Sequence, residues 1–292
     1  MLRQPWYDDS AIVARPRSAW PGGRRLAVYV ALGVEEYSFG EGLTEDLLPG
    51  APKPDLVNTA WRDYGNRVGG FRLIDRLGGM GIRPTLLLNT GVYQTAPAMT
   101  DHARKAGAEI VAHGIVNSDT LATLGCDDEL AYLNRVRADI IAHEGCAPGG
   151  WSSPWLAHSP TTLANLRRAG FGYLLDLRMD DQPVWLRTEA GPLLSIPYAA
   201  EINDSSTIIG RNASAADFAD MIVDEFEELL AASRDQALVM SIVVHSFISG
   251  QPFRLRSLTR ALQHLVSRSE DVWFCTPGEI AAASLADPSL VA

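Results

Sequence analysis

The chain reads as an α/β protein built as a (β/α) barrel, closed or nearly closed. Three observations predict it. Short apolar runs alternate with amphipathic segments in about seven units, the pattern of a parallel sheet covered by helices. The polar residues of greatest chemical interest end several different apolar runs, and barrel enzymes place their chemistry at the C-terminal ends of their strands. The 292 residues, 47% of them hydrophobic, are enough for one barrel with a large core. No linker, charge block or repeat divides them, so residues 1–292 read as one domain.

The elements follow in order. Residues 1–25 form an irregular arm, because Pro5, Pro16, Pro21 and Gly22-Gly23 interrupt any regular element. Leu26 to Leu32 is rich in β-formers and reads as a buried strand. A loop from about Tyr37 to Trp61 carries Gly40, Gly42, Pro49, Gly50, Pro52 and Pro54; loops of this length in compact domains are functional or disordered. From Tyr64 to Leu77 the residues Val68, Phe71, Leu73, Ile74 and Leu77 recur at helical spacing, and Gly78-Gly79 end the helix. Strands are then expected at 84–88, 109–112, 148–151, 173–175, 195–197, 238–244 and 272–275. Helices are expected at 96–106, 127–143, 160–169, 215–232, 254–267 and 278–285.

A net charge of −10 argues against nucleic acid or an anionic membrane as partner, since both need a basic surface. Cys126, Cys146 and Cys275 are odd in number and lack close metal spacing, which fits a reducing cytoplasm better than a disulfide framework. Met1 to Trp6 does not open a signal peptide, and no run approaches the ~18 apolar residues of a membrane span. A cytoplasmic location is expected. Neither Gly-x-Gly-x-x-Gly after the first strand, a Walker loop nor a Gly-x-Ser-x-Gly elbow is present, so nucleotide cofactors and serine hydrolysis are not suggested.

Four strand ends carry the candidate chemistry. Glu35-Glu36 follow the first strand; alternation sends at most one of them into the barrel mouth, and a carboxylate buried there would be pushed up towards neutrality and serve as general base. The alternation leaves open which one. His113 ends Ile110-Val-Ala112, and Gly114 beside it lets another group approach; it would orient substrate, bind an ion or stabilise an oxyanion. Asn117, four residues on, suits a cyclic amide or ureide better than a cation. His245 ends Met240-Ser-Ile-Val-Val244 and is a natural acid for a departing amide nitrogen. Asp176, Asp180 and Asp181 follow the strand at 173–175, and one of them is expected to hold His245 in its useful tautomer, with Asp181 the leading choice. Trp151 and Trp155, in Trp151-Ser-Ser-Pro-Trp155, are candidates for a wall that positions a flat ligand. Arg62 and Arg67 are candidates for bonding a substrate carbonyl or carboxylate.

Taken together these motifs resemble the polysaccharide deacetylase superfamily, carbohydrate esterase family four, over roughly Leu26 to Ala281. The resemblance implies a distorted seven-stranded (β/α) barrel and, in most members, zinc held by Asp-His-His. Glu35-Glu36 correspond to the Asp-Asp segment, His113 to the first metal histidine and Asn117 to the second. His245 matches the late Leu-x-His histidine, with Val243 for leucine, and Trp151-Ser-Ser-Pro-Trp155 lies where Arg-x-Pro-x-Gly falls. The chain looks more like the branch of metal-independent allantoinases and cyclic imide hydrolases. The marks are Trp61-Arg-Asp-Tyr-Gly-Asn-Arg-Val68, His113-Gly-x-x-Asn117, Asp180-Asp-Gln-Pro183, and Pro197-Tyr198 followed by Asn203-Asp204, with Asn203 a candidate substrate contact. No cofactor is firmly implied. Were a divalent ion such as zinc bound, Glu36 and His113 would hold it. The branch implies a homotetramer.

The expected function is hydrolysis of a non-peptide C–N bond in a small cyclic amide, ureide or imide. Glu35 or Glu36 would activate water, His113 and Asn117 would hold the carbonyl, and His245 would protonate the leaving nitrogen. The alternatives are metal-dependent deacetylation of an N-acetyl sugar and a barrel that binds a ligand without chemistry.

Overall fold

The computed structural model describes residues 6–41 and 45–292, so the start of the arm, including Pro5, and Gly42 of the long loop lie outside the described residues. The chain forms a curled sheet covered by helices. Its strands are β1 (Leu26–Val34), β2 (Thr85–Leu88), β3 (Glu109–Ala112), β4 (Gly150–Trp151), β5 (Tyr173–Leu174), β6 (Val184–Leu186), β7 (Leu193–Ser195), β8 (Leu238–His245) and β9 (Val272–Phe274). Seven of them run parallel in the order β7-β5-β4-β3-β2-β1-β8. β9 lies parallel to the first residues of β1, and β6 is antiparallel on the β7 edge.

The ladder does not close. Between β7 and β8 the chain crosses residues 196–204 without forming a strand and meets β8 at isolated bonds, among them Val243 N–H to the Ile202 carbonyl (2.9 Å) and Ala199 N–H to Ser241 Oγ (2.7 Å); ahead of β6, the Asp181 carbonyl accepts from Val239 N–H (2.8 Å). The result is a half-barrel in which this seam replaces a continuous β7–β8 ladder. The arm covers part of this side: Trp20 is buried with its indole N–H on the Leu238 carbonyl (2.7 Å), and Arg15 pairs with Asp180.

Helices α1 (Leu56–Tyr64), α2 (Gly70–Gly78), α3 (Val92–Thr95), α4 (Pro97–Lys105), α5 (Cys126–Glu144), α6 (Thr162–Arg168), α7 (Ala215–Ala232), α8 (Pro252–Val266) and α9 (Pro277–Ala286) cover the sheet. The helix expected from Tyr64 begins eight residues earlier, because Asp55 caps it by accepting from Asn58 N–H (3.0 Å). A π-helical turn, Gly65–Gly69, joins α1 to α2. It presses on the turn after β8: a Cβ on Gly69 would lie 2.0 Å from the Ser246 carbonyl oxygen, so only glycine fits there. β6 was not expected; its three residues are too short a run to show periodicity. β7 sits two residues before the expected 195–197.

Alternation along the strands sets the two faces. On β1, Leu26, Val28, Val30, Leu32 and Val34 pack under the helices, whereas Ala27, Tyr29 and Ala31 point into the half-barrel. On β8, Leu238, Met240, Ile242 and Val244 face the helices, and Val239 and Val243 face inward. Extending these registers by one step puts Glu35 and His245 on the inner side. Among the described residues no helix is long and apolar enough to cross a membrane, and the three cysteines are unpaired.

Candidate active site

A cavity of about 300 Å³ opens where β1, β3 and β8 end, and Glu35, His113, Asn117 and His245 line it together. Parallel register brings them there. Gly33 of β1 pairs with His245 of β8, and Leu88 of β2 pairs with Ala112, the residue before His113. Gly33 matters because a Cβ at that position would lie 2.7 Å from the His245 ring and 3.0 Å from Glu35 Oε1. Any larger residue would displace one of them.

Glu35 is the hub. Its Oε1 lies 3.4 Å from His245 Nε2 and 3.5 Å from His113 Nε2. Its Oε2 accepts from Tyr37 O–H (2.8 Å) and from Asn117 Nδ2 (3.1 Å). Burial alone would push the Glu35 carboxyl up, as the sequence suggested; the charge of His245 and hydrogen bonds from both histidines outweigh it and hold Glu35 below the usual carboxylate range. His245 moves the opposite way. Burial opposes its charge, but Glu35 and Asp204 hold it well above the ordinary imidazole value.

Asp204, rather than Asp181, orients His245. Its Oδ1 is 2.6 Å from His245 Nδ1, and both its oxygens accept from the His245 backbone N–H (3.1 and 2.9 Å). Ser249 adds its N–H (3.1 Å) and its hydroxyl (2.5 Å) to Oδ2. A carboxylate on Nδ1 directs the other ring nitrogen, Nε2, towards Glu35 and the cavity. His113 is fixed differently. Its Nδ1 lies 2.8 Å from the Ser152 carbonyl, which can only accept, so Nδ1 donates there and Nε2 faces Glu35.

A second acid lines the cavity. Tyr37 O–H lies 2.8 Å from Glu35 and 2.5 Å from Glu45 Oε2, and the hydroxyl has one proton to give. Burial, then the neighbouring Glu35 charge, raises the Glu45 carboxyl above its ordinary value, and burial keeps Tyr37 protonated. The single Tyr37 hydroxyl proton therefore lies between two carboxylates, Glu35 and Glu45. The sequence held no signal for Glu45, which sits in an aperiodic loop.

Asn117 is placed by three bonds: its backbone N–H donates to the Glu36 carbonyl (2.6 Å), its carbonyl accepts from Trp155 Nε1 (2.5 Å), and its Nδ2 also reaches Tyr37 (2.8 Å). Its Oδ1 is buried with no partner, a state that costs roughly 1–3 kcal/mol. Trp155 and Asn203 also line the cavity, and Trp155 and Leu156 are held at positive φ (62° and 52°) beside it.

Seven expected residues lie elsewhere. Glu36 turns to the outer face, with its backbone N–H on Asn89 Oδ1 (3.0 Å) and its carboxylate on Thr95. Asp181 pairs with Arg178 (3.2 Å) and Asp180 with Arg15, because the chain turns sharply at Asp176 (φ 52°) and carries both acids towards the arm. Asp176 itself accepts from Ser153 N–H (2.9 Å) and meets His158 (2.8 Å). Arg67 is exposed beside α4. Trp151 is a core residue packed edge-on against Phe171 (5.4 Å), since its place in β4 points it towards the helices. Arg62 braces the long loop by donating to the Glu41 and Glu45 carbonyls (3.0 Å each), with its guanidinium 4.6 Å from the Tyr37 ring centre.

These residues do not fit a divalent ion. The pair Glu36 and His113 is not assembled, and Asn117 turns an NH2 group without a lone pair towards Glu35. Among the described residues no three His, Cys, Asp or Glu side chains are arranged to hold a metal.

No family model matches the chain. A Schizosaccharomyces pombe (strain 972) protein provisionally named as a polysaccharide deacetylase is 24% identical over 303 residues, covering 96% of this chain and 92% of that protein. The crystal structure of Puue allantoinase superposes with a TM-score of 0.84 at 25% identity, covering 93% and 94% of the two chains. A provisionally named polysaccharide deacetylase from Pseudomonas aeruginosa PAO1 gives a TM-score of 0.83 at 24% identity, covering 93% and 95%. The chain thus shares its fold, a half-barrel with a cavity at the strand ends, with Puue allantoinase and with proteins provisionally named as polysaccharide deacetylases.

Proposed function

We propose that the chain is a hydrolase of carbon–nitrogen bonds other than peptide bonds, acting on a small cyclic amide, ureide or imide. The observation that carries this reading is Glu35 held between two buried imidazoles, one of which is aimed by Asp204. A water beside Glu35 Oε1 attacks the ring carbonyl carbon and gives its proton to the carboxylate. The C–N bond breaks, its electron pair stays on nitrogen, and His245 Nε2 supplies the proton that nitrogen needs. His113 stands on the other side of Glu35 and stabilises the developing oxyanion.

The cavity supports a small neutral substrate. Its volume, about 300 Å³, suits a single ring, and no lysine or arginine lines it among the described residues. Likeness to an allantoinase supports the same class. Deacetylation of an N-acetyl sugar through a metal has less support, because the donor set described above lacks a third ligand.

The test is a panel of allantoin, hydantoin, succinimide, phthalimide and N-acetylglucosamine oligomers, each with and without chelator. Ring opening of at least one cyclic compound is expected, unchanged by chelator and reduced ~10²–10⁴-fold in Glu35→Gln. Turnover confined to acetylated sugars, or binding of every ring without consumption, would overturn it.

A further inference from the structure

We propose that Asn117 is a specificity-determining residue that accepts a hydrogen bond from an N–H of the ring, so that the site selects substrates unsubstituted at that nitrogen. The inference rests on the hydrolase reading of the cavity and adds a direction to the bond. The amide of Asn117 has two ends, and one is already committed: Nδ2 donates to Glu35 Oε2 (3.1 Å) and to the Tyr37 oxygen (2.8 Å). The orientation is fixed by chemistry, because turning the amide over would set its oxygen against the Glu35 carboxylate. Asn117 therefore cannot polarise a substrate carbonyl, the part the sequence suggested for it.

What remains is Oδ1, a buried acceptor with no partner of its own on a residue that lines the cavity. The backbone cannot move it aside, since the Asn117 N–H and carbonyl are both bonded, to Glu36 and Trp155. An N–H of a lactam, imide or ureide is the group that completes it. In the same lining, Asn203 Oδ1 accepts from the Ser205 N–H (3.0 Å), which leaves its amide hydrogens for a ring carbonyl. A donor on Asn203 and an acceptor on Asn117, both in the lining of one cavity, match the N–H and C=O of one cyclic amide.

The test uses the intact protein and reads binding separately from turnover. Succinimide is compared with N-methylsuccinimide, and 2-pyrrolidinone with γ-butyrolactone, which differ by a ring N–H against a ring oxygen and so separate the lost bond from added bulk. By calorimetry each N–H compound is expected to bind roughly 10- to 100-fold more tightly than its partner, and the ratio is expected to shrink towards one in Asn117→Ala. Equal binding within each pair overturns the role of Asn117 even if imides are hydrolysed. A clear N–H preference without turnover keeps it and removes the hydrolase reading. Failure of all four compounds to bind overturns both.

Discussion

The strand ends and the loops contribute to this cavity in contrasting ways. Glu35, His113 and His245 stand at the ends of β1, β3 and β8, where backbone ladders fix their positions before any side chain is considered. Glu45 and Asp204 come from stretches without regular pairing and are placed by side chains: Arg62 holds the carbonyls of the first loop, and Ser249 and the His245 N–H receive the acid of the second. Strands set where the reacting groups stand, and loops set how those groups are protonated and turned.

The largest effect that would sharpen this contrast is expected from Asp204→Asn. An amide in place of the carboxylate no longer favours the Nδ1–H tautomer, and turnover is expected to fall ~10²–10⁴-fold with substrate affinity little changed. The pH behaviour distinguishes this from simple damage. His245 is raised above its ordinary value of 6.5 in the folded protein, so its contribution to stability is full below that pH and is lost as pH rises through the folded value. Removing Asp204 lowers the folded value. The alkaline limb of activity should move to lower pH, and the stability lost relative to the unaltered protein should be greatest below about pH 6.5 and fade above it. An unmoved alkaline limb would argue that Asp204 is only a structural partner.

A smaller effect is expected from Arg62→Met, which removes the brace of the long loop but touches no reacting group. Its side chain is almost wholly buried among carbonyls and Asp46, so about 2–4 kcal/mol of stability should be lost. Turnover should fall far less than in Asp204→Asn. The smallest effect is expected from Asp181→Asn: its ion pair with Arg178 is partly exposed, and stability should change by roughly 0.5 kcal/mol or less with turnover unchanged. A loss of activity comparable to Asp204→Asn would reverse the assignment of the orienting acid.

The same contrast explains what could be read from sequence. Strand-end residues were legible because apolar alternation locates a strand and projects its next inward residue; β1 and β8 continue that pattern to Glu35 and His245. The choice between Glu35 and Glu36 needed the register, which only the packed faces reveal. Asp181 was favoured because acids follow β5 in the chain, yet the turn at Asp176 takes them to the arm. Asp204 was noticed as part of a motif without its role, and Glu45 left no trace, since neither loop carries periodicity. The direction of the Glu35 shift was missed for a related reason: burial is foreseeable from an apolar run, but the two imidazoles that outweigh it come from distant parts of the chain.

The bare α-carbon at Gly33 has a consequence for how such a protein can diverge. With a ring and a carboxylate already crowding that point, the distance between acid and base is written into the main chain, and no side-chain exchange there can retune it. New substrate preferences have to arise around Asn117, Trp155 and residues 198–210, leaving Glu35 and His245 as a fixed engine behind an interchangeable front.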